Sequence, residues 1–173
     1  MKDVARNRQG TLRETGKVHL LGDDINTDYI IPAVYLCLYE PEELGRHVLE
    51  GLGPEYPARL EGVRFVFAGR NFGSGSAREQ APNALLGAGI RGVVAQSFGR
   101  IFYRNSINVG LPVIECPDAV AAVEEGEEAT IDLTGSVILL GTRRFAFAPF
   151  PPNVQEIILA GGIMPLLKEK LGR

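Results

Sequence analysis

A chain of 173 residues is long enough to bury a sizeable core and short enough to be one domain, or one domain with a tail. Hydrophobic residues at 45% and charged residues at 23% are ordinary globular values, and a formal net charge of -3 gives no basic footprint for nucleic acid or a membrane surface. With 21 glycines and 11 prolines the chain must turn tightly and often, which suits a mixed α/β protein better than a helical bundle.

Residues 1–15 are polar and mixed in charge and read as an N-terminal extension to a domain spanning 16–173. They have no apolar core of the kind a signal peptide carries, and no apolar stretch approaches the length of a membrane span, so a cytoplasmic location is expected. The run Lys17-Val18-His19-Leu20-Leu21 predicts a first strand that ends at Gly22-Asp23-Asp24. Residues 23–28 hold three Asp, one Asn and one Thr, side chains that stabilise turns by bonding their own backbone. The same composition suits a calcium loop, but the EF-hand glycine and twelfth-position Glu are missing. After a mostly apolar segment at 33–38, Pro41-Glu42-Glu43-Leu44 opens a helix that runs to about Glu50 and stops at Gly51. Residues 51–62, with two prolines, read as a loop. His47, in that helix, and His19, in the first strand, read as surface or half-buried histidines rather than catalysts.

Val63–Ala68 is an apolar run with strand character, and a helix is expected over 78–88. A buried strand over 91–96, a helix over 99–108 capped by Ser97, and a strand over 111–115 follow. Strand, helix, strand, helix, strand is the pattern of parallel βαβ units. A short helix or turn at 118–125 leads to three runs, 129–133, 136–140 and 143–147, separated by Thr134-Gly135 and Gly141-Thr142, which predict antiparallel hairpins. Pro149, Pro151 and Pro152 break the pattern before a helix over 153–160 and a C-terminal helical piece. The expected fold class is α/β, a parallel βαβ half joined to an antiparallel β half.

The chemistry concentrates at residues 69–82, GRNFGSGSAREQAP, between the Val63–Ala68 strand and the helix after it. Glycines let the backbone turn sharply and approach a ligand, and the helix N-terminus offers unpaired N–H groups at its positive end. Arg78 adds a planar fork for a carboxylate or phosphate. The known glycine-loop patterns fail. No Lys-Ser/Thr pair completes a Walker loop, Arg78 stands where GxGxxG needs its third glycine, and GxSxG is absent. A glycine-rich turn in which Arg78 pairs with an acid such as Glu79 would also account for the composition. The functional alternative is an anion-binding loop with the Ser76 hydroxyl exposed beside Arg78. Serine acts as a base only where its alkoxide is stabilised, and backbone N–H groups with a nearby guanidinium provide that help. The fitting chemistry is proton movement at a carbon next to a carboxylate that Arg78 holds. The two cysteines, Cys37 and Cys116, lie far apart in no CxxC pattern and read as buried thiols of a cytosolic protein; alone they cannot hold an iron–sulfur cluster or a structural zinc.

Three stretches in order, GDDINTDYIIPAVYL at 22–36, the loop at 69–82 and QSFGRIFYRNSINVGLPVIE at 96–115, resemble the small subunits of 3-isopropylmalate dehydratase, a family corresponding to the swivelling domain of aconitase. The resemblance covers residues 16–152. It implies a β/β/α swivelling domain that closes over a separate large subunit carrying a [4Fe–4S] cluster, with no metal bound by this chain and no activity in the chain alone. It also implies a small dicarboxylate substrate: 2-isopropylmalate and 3-isopropylmalate interconverted by dehydration and rehydration in leucine biosynthesis. By position, Ser76 matches the family's catalytic base, Arg78 the arginine on a substrate carboxylate, and Asp28 an aspartate at the edge of the site. Tyr35, Leu36, Cys37 and Leu38 match the loop that reads the substrate's variable side group. Ala77 falls in the carboxylate-binding set, where the family often has a second serine, and brings no hydroxyl.

Relatives acting on homocitrate or homoaconitate resemble one another in placing an Arg in the 35–38 loop, whereas Cys37 and Leu38 are uncharged. A substrate carboxylate buried against them would cost several kcal/mol in order of magnitude. An isopropyl group would gain roughly 1.5–3 kcal/mol. This favours isopropylmalate over the alternatives, a dimethylmalate dehydratase or a homoaconitase subunit, although Arg46 and Arg59 are near enough in sequence to enter the pocket. An expectation of another class is a non-catalytic module that uses the loop to hold an anion or a partner protein.

Overall fold

The strand β1 (Arg13–Leu21) is shared by the two halves of the sheet. The computed structural model describes residues 13–172. The other strands are β2 (Val63–Ala68), β3 (Gly92–Ala95), β4 (Val113–Glu115), β5 (Glu128–Asp132), β6 (Val137–Leu140) and β7 (Arg143–Ala146). They form one sheet in the order β4-β3-β2-β1-β5-β6-β7. From Lys17 onward β1 pairs in parallel with β2, and β3 and β4 continue the parallel half. Its first five residues instead pair antiparallel with β5, which leads into the β5–β6 and β6–β7 hairpins. The expected parallel and antiparallel halves are both present, joined through one strand.

The helices are α1 (Thr27–Ile30), α2 (Pro41–Gly45), α3 (Tyr56–Arg59), α4 (Gln80–Gly87), α5 (Arg100–Asn108), α6 (Pro117–Ala122), α7 (Pro152–Ala160) and α8 (Ile163–Lys170), with a 3₁₀ turn at Ala33–Tyr35. Central parallel strands are covered on both faces and so read as unbroken apolar runs. β3 is buried throughout, and β2 along its length except at Arg64. Phe65, Phe67, Leu85, Ile90 and Leu111 fill the space between sheet and helices. Among the described residues no helix is long and apolar enough to cross a membrane.

Several boundaries differ from those expected. β1 starts at Arg13, so residues 13–15 belong to the sheet; the rest of the expected extension lies outside the described residues. Residues Arg13 to Thr15 are exposed and show no apolar alternation, and pairing with β5 is what makes them a strand. α2 ends at Gly45 rather than near Glu50, because the chain turns to meet α1: Leu49 adopts φ 57° and donates its N–H to Ile30 O at 2.8 Å. The expected loop at 51–62 contains α3.

The acidic stretch after β1 is occupied with hydrogen bonds. Asp23 accepts from the Arg70 backbone at 2.8 Å and from its guanidinium at 2.9 and 3.1 Å, while Asp24 accepts from Asn71 Nδ2 at 2.9 Å. Asn26 caps α1 by accepting from Tyr29 N–H at 3.1 Å.

Candidate active site

In open α/β sheets, ligands bind beyond the carboxyl ends of the parallel strands. The segments leaving β1, β2 and β3 meet there and are stitched together by their backbones. Gly73 N–H donates to Ile25 O at 2.7 Å, Thr27 N–H to Ser74 O at 2.9 Å, and Phe72 N–H to Ser97 O at 3.0 Å. Phe72 and Phe98 pair as an isolated parallel bridge, and the Phe72 ring packs edge-on against Phe98 and Phe102 beneath the loop. Glycine is required at 73. Its φ is 73°, and a Cβ there would lie 2.1 Å from Phe102 Cγ.

Ser76 is exposed at the top of this turn. Its carbonyl accepts from Thr27 Oγ1 at 3.1 Å and from Arg78 N–H at 2.9 Å, which holds the backbone while no hydrogen bond among the described residues engages its hydroxyl. Ala77, next in the chain, is also exposed. α4 begins at Gln80, two residues later than the expected 78, and Glu79 makes no side-chain cap; Ala81 N–H is taken up by Arg78 O at 3.2 Å, and Pro82 has no N–H to offer.

Arg78 turns back toward the segment after β1. Its guanidinium is ion-paired with Asp28 and donates to Ile31 O at 3.0 Å. The adjacent acid Glu79 is not its partner. Two site residues 50 positions apart are therefore brought into contact, with Ser76 two residues from Arg78.

The 35–38 loop lies beside them. Gln80 Nε2 reaches Leu36 O at 3.3 Å. Tyr35, Leu36 and Leu38 are half-buried against the core, and Cys37 is the exposed member of the four. The Tyr35 ring lies on the His47 imidazole, centroids 3.7 Å apart. Of the two arginines near this loop in sequence, Arg59 is committed elsewhere: it lies 3.5 Å from Glu55 and over the Tyr56 ring at 4.9 Å. Arg46 is exposed.

A cleft of about 450 Å³ opens on the other side of the loop, between α5, β4 and residues 147–150. Phe98, Arg100, Tyr103 and Glu115 line it, and Ser76, Arg78 and Asp28 do not. Ser76 is exposed, and the Arg78 side chain is largely buried outside this cleft. Cys116 is buried as expected, whereas Cys37 is exposed, and among the described residues no group of three or more His, Cys, Asp or Glu is placed to hold a metal.

A family model described as the aconitase C-terminal domain matches residues 56–119, from α3 to α6, a span that includes the 69–82 loop. A 3-isopropylmalate dehydratase small subunit from Moorella thermoacetica is 49% identical over 158 residues, covering 90% of this chain and 95% of the relative. The chain belongs to the 3-isopropylmalate dehydratase small-subunit family. Another small subunit, from Pyrobaculum calidifontis, is 49% identical over 157 residues and 90% of this chain. The crystal structure of a 3-isopropylmalate dehydratase from Methanocaldococcus jannaschii superposes with a TM-score of 0.86 at 37% identity, covering 92% of this chain and 96% of that one. The α/β sheet with parallel and antiparallel halves is thus the fold of this small-subunit family.

Three contacts that hold this site escaped the reading of the sequence. Thr27 was read only as part of a turn, yet its buried hydroxyl tethers Ser76. Gln80 ties α4 to the 35–38 loop. His47 was read as bland, and it carries Tyr35. Each is a lone polar residue whose partner lies 12 to 49 positions away, and neither spacing nor periodicity signals such a contact.

Proposed function

We propose that this chain is the small subunit of a 3-isopropylmalate dehydratase, a hydro-lyase of leucine biosynthesis, and that it supplies half of an active site completed by a large subunit. The observation that carries the reading is the open Ser76 hydroxyl two residues from the Arg78 guanidinium, facing a loop with no charged side chain at 35–38. The region that begins with β1 acts as the swivelling unit.

Aconitase-type dehydratases use an iron–sulfur cluster, and this chain's residues do not make a site for one. Cluster ligation needs three or four thiolates, and the chain has two separated cysteines. The [4Fe–4S] cluster belongs to the large subunit, where it supplies the Lewis acid for the departing hydroxyl.

Arg78 holds a substrate carboxylate through its fork, as it now holds the carboxylate of Asp28. Ser76 Oγ takes the proton from the carbon next to that carboxylate and returns it on rehydration. Negative charge developing on the substrate spreads into the carboxylate, where the guanidinium stabilises it. Closure of the large subunit over Ser76 and Ala77 excludes water and strengthens those interactions. Cys37, flanked by Leu36 and Leu38, offers an uncharged surface to an isopropyl group, and no cation among residues 33–38 would meet an additional carboxylate.

The test is reconstitution with a cluster-loaded large subunit, following absorbance of the unsaturated intermediate formed from 3-isopropylmalate. Turnover is expected, with Ser76→Ala reducing kcat by about 10³-fold or more while substrate still binds. No activity on any malate homologue would sink the enzyme reading, and retained turnover in Ser76→Ala would remove the base assignment.

A further inference from the structure

The 35–38 loop has only short-range hydrogen bonds of its own. Tyr35 N–H donates to Pro32 O at 3.0 Å, Leu36 N–H to Ala33 O at 3.2 Å and Leu38 N–H to Tyr35 O at 3.0 Å. Its position is set from outside. On one side Arg78 and Gln80 hold Ile31 O and Leu36 O. On the other, Tyr35 lies flat on His47, with ring centroids 3.7 Å apart and planes 13° apart. His47 Nδ1 is 2.9 Å from Glu50 Oε2. The same Glu50 carboxylate faces the Tyr35 hydroxyl and pushes that phenol's pKa up.

His47 is itself placed by backbone-to-backbone contacts in both directions. Before it, α2 packs on α4 so closely that a Cβ on Gly45 would lie 2.5 Å from Ala88 N, and one on Gly87 would fall on the Pro41 carbonyl. After it, Leu49 N–H donates to Ile30 O at 2.8 Å, and a Cβ on Gly51 would lie 2.5 Å from Asp28 O. The turn carrying His47 is therefore packed backbone to backbone on α4, which follows Ser76 and Arg78, and on α1, which carries Asp28. Beyond the packing of Tyr35, Leu36 and Leu38 on the core, His47 and Glu50 hold the 35–38 loop from outside the Ser76–Arg78 segment and its helix.

We propose that His47, steadied by Glu50, is a positioning residue for substrate discrimination: through the ring of Tyr35 it sets the distance between Cys37 and the Ser76–Arg78 loop, and with it the size of the branched alkyl group the site accepts. This rests on the reading of residues 35–38 as the surface that meets the substrate's side group. Removing the imidazole leaves Tyr35 half-buried without its partner, and the loop is then free to move relative to Ser76. A residue that merely stabilised the fold would change the amount of native protein without changing which substrate is preferred.

The experiment has two arms. In the first, amide hydrogen exchange is followed on the full chain alone. His47→Ala is expected to speed exchange of the amides of residues 35, 36 and 38 by about threefold to tenfold, with β2 and β3 unchanged. Glu50→Gln, which leaves the ring in place, moves the same amides in the same direction by less. Unchanged exchange at 35–38 in both variants overturns the proposal. In the second arm, complexes reconstituted with the large subunit are compared on 3-isopropylmalate and on a malate homologue with methyl groups in place of the isopropyl. His47→Ala is expected to raise KM for 3-isopropylmalate and to narrow the preference between the two substrates, each by about threefold to tenfold, with kcat within about twofold. His47→Phe, which keeps the stacked ring, restores most of that preference. A fall in kcat with discrimination intact overturns the proposal. A wild-type complex inert on isopropylmalate counts against the enzymatic reading instead; discrimination is then measured on whichever malate homologues the complex turns over, and the exchange arm stands apart from both.

Discussion

Asp28 holds Arg78 in place. The Arg78 side chain is 13% exposed, its partner carboxylate is 55% exposed, and Ile31 O takes a second guanidinium N–H at 3.0 Å. On the proposed reading, a substrate carboxylate would meet a cation already aimed by Ile31 O and by the more exposed Asp28 carboxylate. Arg78→Lys keeps the charge but loses the fork, so one ammonium cannot serve Ile31 O and a carboxylate in the same geometry. A charge-assisted hydrogen bond is worth about 1.5–3 kcal/mol. KM of the reconstituted enzyme should therefore rise about tenfold to a hundredfold with kcat within a few-fold. Steady-state kinetics check this, and an unchanged KM would remove the carboxylate-binding role.

Thr27→Val probes how Ser76 is held. Thr27 is 1% exposed, and its Oγ1 donates to Ser76 O at 3.1 Å; valine keeps the shape and deletes the donor. The carbonyl retains its bond from Arg78 N–H, so the loop loosens rather than collapses. Loss of one such bond should lower unfolding free energy by about 1 kcal/mol. Urea denaturation reads that loss, and kcat should fall several-fold while KM holds. A kcat equal to wild type would show that Ser76 is positioned without Thr27.

The fold was legible where periodicity is local and the site where its residue types are local. Val63–Ala68, Gly92–Ala95 and Val113–Glu115 are apolar runs spaced by helical segments, and they emerge as β2, β3 and β4 in a parallel ladder. Arg13–Gly16 was illegible as a strand, because its residues are mostly polar and exposed and only β5, over a hundred positions later, supplies the pairing. The glycines, Ser76 and Arg78 stand within seven positions and announce an anion loop. The partner of Arg78 did not. Glu79 was the obvious acid by sequence, but adjacent side chains at a helix start diverge, and Asp28 comes from the segment after β1. Likewise nothing in the spacing of Tyr35 and His47 requires their rings to stack; the short α2 and its close packing on α4 bring them together.

Gly73→Ala should damage fold and site together. The substitution places a methyl group 2.1 Å from Phe102 Cγ at a residue whose φ is 73°. Overpacking costs about 1–3 kcal/mol, and forcing a non-glycine residue to positive φ adds about 1 kcal/mol. A loss of about 2–4 kcal/mol in urea unfolding is expected, with Phe102→Ala in the same chain relieving part of it. No relief in the double variant would show that backbone strain dominates the clash.

Acid should weaken the turns that Asp23 and Glu127 hold. Asp23 ionises below the usual carboxylate range because it accepts the Arg70 backbone N–H and, second, the Arg70 side chain. Glu127 is lowered first by its hydrogen bond from Arg143 and then by the Glu124 backbone N–H. In both cases the folded pKa lies below the unfolded one. The stability they contribute is therefore fully present above the unfolded pKa and lost as pH falls through the folded one. Urea midpoints measured from about pH 6 down to about pH 3 should fall most steeply below about pH 4. Asp23→Asn and Glu127→Gln should each lower stability at neutral pH and flatten that acid limb, and the double variant should flatten it further, since the two pairs lie on separate elements. An acid limb as steep in the double variant as in the wild type would place the acid sensitivity on other carboxylates.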